Sequence, residues 1–428
     1  MRKTNTRLVQ LAICLAAALS LPLFAGRPTQ VAAAAGPGET SGYRVLKPIQ
    51  SGDLTLFPVV PANARADAKT PANPFLTLDE GLKSGEVEVT EYGKVRGLIR
   101  LRGGPVNSRY QGDQVNTLVL LNNSKRPLLL LAGEIVTGGK QDRIIAKDRI
   151  VPAGADPIDL SVFCVEHGRW TESSEKFGAT AASEGKSFMV QPAVRQQAMV
   201  AKDQQQVWNA VGGAISNMAV AAAPPKPAAI HGTASGNETV TVTASSGVVM
   251  ADTIAVPSPV AVAPLPTTSY AKAMQMQAVT AAVDQESAGL LQSREAALAT
   301  LRAEHAIGVV VAIRGEIIWA DLFSDPDLLG RYWVKLVRSY AAEGLGAAPS
   351  HKAPASIAEA QAFLDAPSHG REESDGEVGV YRVREIKTSG TDLFALESLL
   401  PGTNYDVHIS KLKLKGLQPT PISHPPIY

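Results

Sequence analysis

A stretch of low complexity at residues 219–268 divides the chain into two parts, and this division constrains the fold more than any other feature of the sequence. The stretch is rich in Ala, Pro, Ser, Thr and Val and poor in charged and aromatic residues, as in AVAAAPPKPAAIHGTASG. Because it lacks large apolar anchors, we predict a disordered Ala/Pro-rich insertion containing at most one weak hairpin. The folded parts are then 36–218 and 269–428.

The first 35 residues have the composition of a secretory signal peptide. Arg2, Lys3 and Arg7 precede the apolar run LVQLAICLAAALSLPLFA, and the small residues VAAAA follow at 31–35. This order is typical of a cleaved leader. The alternative is an uncleaved membrane anchor, which Pro22 and the Ala-rich exit disfavour. We therefore expect a secreted or periplasmic protein.

Charge and cysteine content exclude several classes of protein. The leader contains four arginine and lysine residues. Its loss leaves 37 of the 41 basic residues and all 40 acidic residues, which gives a formal charge of −3. A nucleic-acid partner is not expected, because no basic stripe remains. A membrane partner is not expected after cleavage, because no second long apolar run follows. Cys164 is then the one remaining cysteine, so the core must hold the fold without an internal disulfide.

Hydrophobic periodicity predicts an α+β fold, with a mixed or antiparallel sheet and packed helices. In the first part, VNTLVLLNNSKRPLLLLAGE is typical of a hairpin, RIIAKDRIV of a continuous strand, and residues 160–170 of an extended segment. Helical patterns follow at 192–218 and 269–303. The second part continues with the hairpin HAIGVVVAIRGEIIWADLF and a helix capped by Ser324 and Asp327. A short helix near 355–365 and three strands complete the domain.

The first polar motif, GEIVTGGKQDR, comes directly after a buried apolar run. The Gly138–Gly139 pair permits positive φ, and consecutive backbone N–H groups in such a turn can bind an anion. Lys140 and Arg143 add cationic donors, Gln141 can bind a neutral polar edge, and Glu134 can accept a hydroxyl or orient Arg143. The alternative is a turn that carries solvated charges.

The second motif, FCVEHGRW, places a thiol, a carboxylate, an imidazole, a guanidinium and an indole within eight residues. A nucleophilic cysteine needs a neighbouring base. Strand alternation, however, would put His167 on the face opposite Cys164, which favours a core cysteine. Cys164 and His167 form a single Cys-x-x-His pair with no second pair, so no metal site is predicted.

The charges of the two motifs can be partners. We expect Glu134 with Arg169, and Glu166 with Lys140 or Arg143, because charges at the ends of buried strands need partners. Two interpretations remain open: a structural lattice of salt bridges, and a polar pocket with Trp170 as its aromatic wall. Asp321, at the end of the strand IIWADLF, is interpreted as structural.

These motifs, followed by QQVW and VVVAIRGEIIWADLFSDPDLLGRYWVKLVRSY, resemble a bacterial family. It is the ARG and rhodanese–phosphatase-superfamily-associated protein domain, in which ARG denotes ADP-ribosylglycohydrolase. The resemblance runs from about Tyr43 to Lys411, apart from the insertion. It implies only that such domains occur together with enzymes that act on ADP-ribose or phosphoryl groups, and it assigns no catalytic role to any residue. Where the family usually has Asn, this chain has Asp142, which accepts hydrogen bonds and cannot donate them when ionised.

We therefore hypothesise an exported, non-catalytic binding module for a small polar or anionic ligand, without a cofactor. Its predicted ligand-binding residues are the polar members of the two motifs: Glu134, Lys140, Gln141, Arg143, Cys164, Glu166, Arg169 and Trp170. One alternative is a hydrolase in which Glu134 or Glu166 is the general base and Arg169 stabilises developing charge. Another is a structural envelope protein whose insertion reaches a partner in the envelope.

Overall fold

The computed structural model describes residues 42–63, 73–94, 100–101, 104–105, 116–180, 187–223, 263–291, 294–347, 352–367 and 370–414. The predicted signal peptide lies outside these residues, as do positions 224–262 of the predicted insertion. The described residues form the α+β architecture expected from the sequence, with antiparallel and mixed sheets and packed helices.

The strands are numbered in chain order. They are β1 Tyr43–Val45, β2 Ile49–Ser51, β3 Leu54–Pro61, β4 Leu76–Thr77, β5 Val87–Glu91, β6 Arg100–Leu101, β7 Gly104–Pro105, β8 Thr117–Asn122, β9 Leu128–Leu130, β10 Ile135–Thr137, β11 Arg143–Ile145, β12 Arg149–Val151, β13 Ala155–Cys164, β14 Gly178–Ala179, β15 Gly308–Ile313, β16 Glu316–Phe323, β17 Arg371–Glu377, β18 Tyr381–Lys387, β19 Thr391–Ser398 and β20 Asp406–Lys413.

The helices are numbered in the same way. They are α1 Leu78–Ser84, α2 Pro192–Gln196, α3 Gln204–Ala222, α4 Tyr270–Gln275, α5 Gln277–Glu286, α6 Ala288–Leu291, α7 Arg294–Ala303, α8 Pro326–Gly346 and α9 Ile357–Asp365. A 3₁₀ turn occupies Tyr92–Lys94, and one turn of π-helix, Gln197–Ala201, follows α2 directly. None of the helices in these described stretches is both long and apolar enough to cross a bilayer.

The largest sheet takes strands from both sides of the insertion. Its order is β1-β3-β15-β16-β20-β19-β18-β17, with β2 also paired to β3, and its neighbouring strands are antiparallel. The predicted β15–β16 hairpin is confirmed, and its turn has positive φ at Arg314 and Gly315. We call β17–β20 the C-terminal meander. Helix α8 packs on this sheet through Trp333, Leu336 and Tyr340, which are fully buried.

A second sheet carries the two motifs. Its order is β14-β10-β11-β13-β6-β7, and β8 pairs with both β13 and β5. The strands of a small third sheet, β12-β9-β4, alternate along the chain with strands of the second sheet. Apolar residues of β11 and β13 pack against α3, α4 and α5, among them Ile144, Phe163, Val207 and Tyr270. This packing fixes one edge of the motif region on a helical support.

The predicted hairpin at 117–130 is wrong, although both strands exist. Strand β8 belongs to the second sheet and β9 to the third. The reason is Asn122, whose side-chain amide donates to the carbonyls of Arg126, Val151 and Pro152. These bonds tie the end of β8 to two different segments, so the chain leaves the sheet before it can pair with itself.

Two extended segments are also shorter than predicted. RIIAKDRIV is broken into β11 and β12 because Asp148 turns inward and accepts a hydrogen bond from the backbone N–H of Ala132 at 2.8 Å. Strand β13 ends at Cys164, where Val165 donates its N–H to the carbonyl of Asp142. The alternation predicted for residues 160–170 therefore stops at Cys164.

Helix boundaries and one strand also differ from the predictions. The cap of α8 is Asp325, which accepts from the N–H groups of Asp327 and Leu328, so neither Ser324 nor Asp327 is the capping residue. The helical pattern at 269–303 is divided into α4, α5, α6 and α7. Strand β17, with the sequence REESDGE, was not predicted because it lies at the edge of its sheet and has no apolar alternation.

Candidate functional site

The two motifs lie side by side because their strands pair. Strand β11 runs antiparallel to β13, with Arg143 opposite Cys164. Beyond the strand ends, the amide of Gln141 donates to the carbonyl of Glu166 at 3.0 Å, and the N–H of Asp142 donates to Glu166 Oε2 at 3.1 Å. A small number of backbone and side-chain bonds thus brings residues 138–143 and 164–169 into one polar cluster.

Glu166 is the carboxylate of this cluster that binds two cationic side chains. Arg169 lies 2.6 Å from Oε2, and Lys272 of α4 lies 2.7 Å from Oε1. Burial alone would raise the pKa of Glu166, yet the hydrogen bonds from Arg169 and Lys272 lower it below its ordinary value. The ion pairs seen at Glu166 are thus with Arg169 and Lys272, whereas the sequence suggested Lys140 or Arg143. Lys272 comes from beyond the insertion and was not predicted.

Asp142 accepts hydrogen bonds from donors on three sides. Gly138 donates its N–H to Oδ1 at 3.1 Å, Ser269 donates its hydroxyl to Oδ2 at 2.7 Å, and Arg169 Nη2 lies 3.5 Å from Oδ1. Burial raises the pKa of Asp142, and the charge of Glu166 adds to that rise. A carboxylate suits this position because each of these three neighbouring groups is a hydrogen-bond donor.

Glu134 lies in a different cluster. It is fully buried, and its Oε2 accepts the N–H of Leu131 at 2.8 Å. Its Oε1 lies 2.6 Å from Lys335 Nζ of α8, and that nitrogen also binds Asp79 at 2.8 Å. The pairing of Glu134 with Arg169 expected from the sequence is therefore replaced by a pairing with α8. Burial raises the pKa of Glu134, while the charge of Lys335 opposes the rise.

Cys164 is buried and bonded to the first motif. Its thiol donates to Gln141 Oε1, and its backbone N–H and carbonyl both bind the side-chain amide of Gln204. Burial raises the pKa of the thiol to about 11. The ring of His167 packs edge-on against Trp208, with centroids 4.7 Å apart. These contacts are those of the core cysteine that strand alternation favoured.

The remaining motif residues differ in exposure. Arg143 is 1% exposed and donates Nη1 to the carbonyl of Gln141, whereas Trp170 is 58% exposed. Lys140 is half-buried, and its backbone N–H donates to Glu91. Arg169 also donates Nη1 to the carbonyl of Gly139 at 2.8 Å. The charged groups of the motifs thus bond one another and the backbone, while the indole faces solvent.

This arrangement matches the lattice interpretation of the motifs. A general base must be reachable by substrate and water. Glu134 is sealed against α8, and Glu166 is held between Arg169 and Lys272. Across the described ranges, no group of three or more His, Cys, Asp or Glu side chains has the geometry to hold a metal ion.

A second buried polar network joins the two parts of the chain, and sequence reasoning recovered only Asp321 of it. The guanidinium of Arg195 donates to both oxygens of Asp321, at 2.9 and 3.1 Å, and Nε donates to the carbonyl of Ala132. His408 Nδ1 lies 2.6 Å from Asp148, and Nε2 lies 3.2 Å from Asp321. Asp321 has the structural role that was predicted for it.

A cavity of about 380 Å³ lies on the other side of β13, between that strand and the C-terminal meander. Phe163, Met199, Val383 and Phe394 form its apolar walls. This volume lies within the range of small-molecule sites in proteins, which are mostly apolar with a few polar groups. We call it the meander cavity. Its residues come from the loop after β11, from the π-turn with Lys202, and from β13, β17, β18 and β19, so no local sequence motif predicts it.

Ion pairs form the rim of the meander cavity. Lys202 Nζ lies 2.6 Å from Glu385, and Lys147 Nζ lies 2.8 Å from Asp375. Asp148, whose partner is His408, also lines the cavity. The apolar walls and charged rim together suit a molecule that has an apolar body and a polar end.

The backbone beside the meander cavity is irregular. Met199 belongs to the π-turn Gln197–Ala201, and Lys202 follows with φ of 54°. A single π-turn is rare and occurs frequently at functional sites. A left-handed conformation costs a lysine on the order of 1 kcal/mol. Lys202 therefore has a strained backbone at the position where its side chain binds Glu385.

Comparison with known proteins gives a single result. The model of the family described as ARPP-1, the ARG and Rhodanese-Phosphatase-superfamily-associated Protein domain, matches residues 42–411. This range contains both motifs, the buried network and the meander cavity. No curated protein and no solved structure gives a significant match.

Proposed function

The chain belongs to the ARG and Rhodanese-Phosphatase-superfamily-associated Protein domain family, and on this premise we propose that it is a non-catalytic module that binds a small ligand in the meander cavity. The observation that carries the proposal is the cavity itself, about 380 Å³ in volume, with four large apolar side chains and a charged rim. The motif residues Gln141, Arg143 and Cys164 then stabilise strands β11 and β13, which support the wall of the cavity.

The ligand chemistry follows from the lining. Phe163 and Phe394 offer apolar surface, and the rim offers hydrogen-bonding groups of both signs. Association with enzymes of ADP-ribose or phosphate would suggest an anionic ligand. Four carboxylates line the meander cavity against two lysines, Lys147 and Lys202. A phosphate would meet repulsion there, so we propose a ligand that is polar at one end and not strongly anionic.

A variant in which a large side chain fills the cavity tests this proposal. Ser161 lines the cavity from β13, and Ser161→Trp places an indole there. Val378→Trp is the matched control, because Val378 is fully exposed. Thermal shifts are measured with a panel of small amines, carboxylates, sugars and phosphates. A ligand at one hundred times its Kd stabilises the folded state by about 2.7 kcal/mol.

We expect one class of compound to raise the Tm of the wild type and of Val378→Trp, and not of Ser161→Trp. The proposal is overturned if no compound stabilises the wild type, or if Ser161→Trp, shown by circular dichroism to be folded, responds equally.

We also propose that the protein is exported and secreted or periplasmic. The support is the charged and apolar leader described above. Fractionation of cells expressing the full chain, followed by mass spectrometry of its N-terminus, tests this. Removal of residues 1–35 and recovery outside the cytoplasm are expected, and an intact leader in the cytoplasmic fraction would contradict the proposal.

A further inference from the structure

Two of the four carboxylates that line the meander cavity, Glu385 and Asp148, are buried, whereas Glu373, Asp375 and the two lysines are more exposed. Glu385 and Asp148 keep only 7% and 3% of their side chains exposed. Lys202 has 54% of its side chain exposed, and Lys147 has 25%. A long lysine side chain in solvent has many rotamers, whereas a carboxylate on a packed strand has few. The lysines can therefore leave the rim, while Glu385 and Asp148 remain.

A second carboxylate lies beside Glu385. In the register of β18 and β19, Glu385 is opposite Phe394 and Lys387 is opposite Asp392, so these four side chains share one face of the meander. Asp392 is 2% exposed, and its Oδ1 is buried without a hydrogen-bond partner among the residues described. Burial raises the pKa of Asp392, and the charge of Glu385 adds to it. This end of the meander therefore has more acceptors than donors.

Glu385 is held by two ammonium groups. Lys202 lies 2.6 Å from Oε2, and Lys387 lies 3.2 Å from Oε1. The contact with Lys202 is a contact between an exposed cation and a buried anion. Such a pair gives little net stability because the lysine loses rotamers when it binds. A second ammonium group arriving from the cavity can take its place at little cost.

We propose that the ligand of the meander cavity is an amphipathic cation, whose ammonium or guanidinium group replaces Lys202 at Glu385 while its apolar body lies between Phe163, Met199 and Phe394. This inference rests on the proposed function and names its ligand class. An aromatic ring close to a carboxylate also attracts a cation through its face. Hydrogen bonds between ionised groups are shorter and stronger than those between neutral ones.

Three probes of matched shape and different charge test the inference on the full chain. They are 2-phenylethylammonium, 2-phenylethanol and 3-phenylpropanoate, with binding measured by calorimetry. We expect the cation to bind at least about tenfold more tightly than the alcohol, and the anion to bind most weakly. If the alcohol or the anion binds as tightly as the cation, the inference is overturned and the cavity proposal stands. If no probe binds, the inference fails, and the Ser161→Trp panel decides the cavity proposal separately.

Two variants locate the cation. Glu385→Gln keeps the shape of the side chain and is expected to remove the preference for the cation, with an affinity loss of about tenfold or more. Lys202→Met removes the competing ammonium and is expected to increase the affinity for 2-phenylethylammonium several-fold. The Lys202→Met variant also tests the assignment to Glu385 if Glu385→Gln does not fold. Weaker binding of the cation to Lys202→Met, or an unchanged preference in a folded Glu385→Gln protein, would overturn the assignment to Glu385.

Discussion

His408 Nδ1 lies 2.6 Å from Asp148 Oδ2, and both side chains are buried. One residue is on the last strand of the large sheet, and the other is in the break between β11 and β12. The contact therefore connects the C-terminal meander to the motif region. The opposite ring nitrogen faces Asp321 at 3.2 Å, so the imidazole bridges two carboxylates.

Stability is expected to fall at alkaline pH because of His408. Burial alone would lower the pKa of this imidazole, but Asp148 and Asp321 raise it from 6.5 to about 9. The stabilisation that the protonated imidazole gives to the folded state is complete below pH 6.5 and disappears as the pH rises through about 9. The free energy of unfolding changes by on the order of 3 kcal/mol over this range. Urea unfolding at pH 6, 7.5 and 9 measures it. His408→Gln should flatten this dependence, whereas the exposed His167→Gln should preserve it; equal curves for both variants would contradict the assignment.

Loss of Arg195 is expected to destabilise the protein by about 3–5 kcal/mol, since it leaves the carboxylate of Asp321 buried beside fewer donors. Arg195→Met tests this by chemical denaturation. The double variant Arg195→Met with Asp321→Asn should lose less than the sum of the two single variants. Additive losses would show that the two groups act independently.

Because Glu134 is fully buried, loss of its charge is expected to destabilise the protein more than loss of a partly exposed charge. Glu134→Gln removes the charge that Lys335 binds at 2.6 Å in a buried site, which should cost about 3 kcal/mol. Lys147→Met breaks a partly exposed pair with Asp375 and should cost less than about 1 kcal/mol. Unfolding free energies of both variants provide the comparison. A loss for Lys147→Met as large as that for Glu134→Gln would contradict this ranking.

Cys164 is expected to be unreactive in the folded protein. Burial raises its thiol pKa to about 11, so the thiolate is scarce at neutral pH, and the side chain is fully enclosed. With Cys14 replaced by Ser, labelling by a chromogenic disulfide reagent should follow the unfolding transition in urea. Stoichiometric labelling within minutes in the absence of urea would place the thiol at an accessible site.

Local sequence predicted the elements better than their partners. The hairpin of β15 and β16 and the short helix near 355–365 follow from patterns of neighbouring residues, and both are present. The pairing of β8 was mispredicted because Asn122 bonds to residues 29 and 30 positions away. Contacts at such separations leave no periodic signal in a single sequence.

The same limit applies to the candidate site. The motifs did predict that residues near Gln141 and Glu166 would meet, because adjacent strands commonly pair. The partners of Glu166 and Glu134, which are Lys272 and Lys335, come from helices more than one hundred positions away. Glu385 is the one acid in a strand that also carries three basic residues, and its position beside a cavity depends on how the meander packs on β13.

The sheet that spans the insertion has a consequence for biosynthesis. Strand β3 emerges from the ribosome early, yet its neighbour β15 follows about 250 residues later, and closing so long a loop is slow and entropically costly. During that interval the apolar strand Leu54–Pro61 lacks that neighbour, so the nascent polypeptide remains vulnerable to aggregation and dependent on chaperones. Under the export proposed above, the same delay would be an advantage, because premature folding would block passage through a translocase.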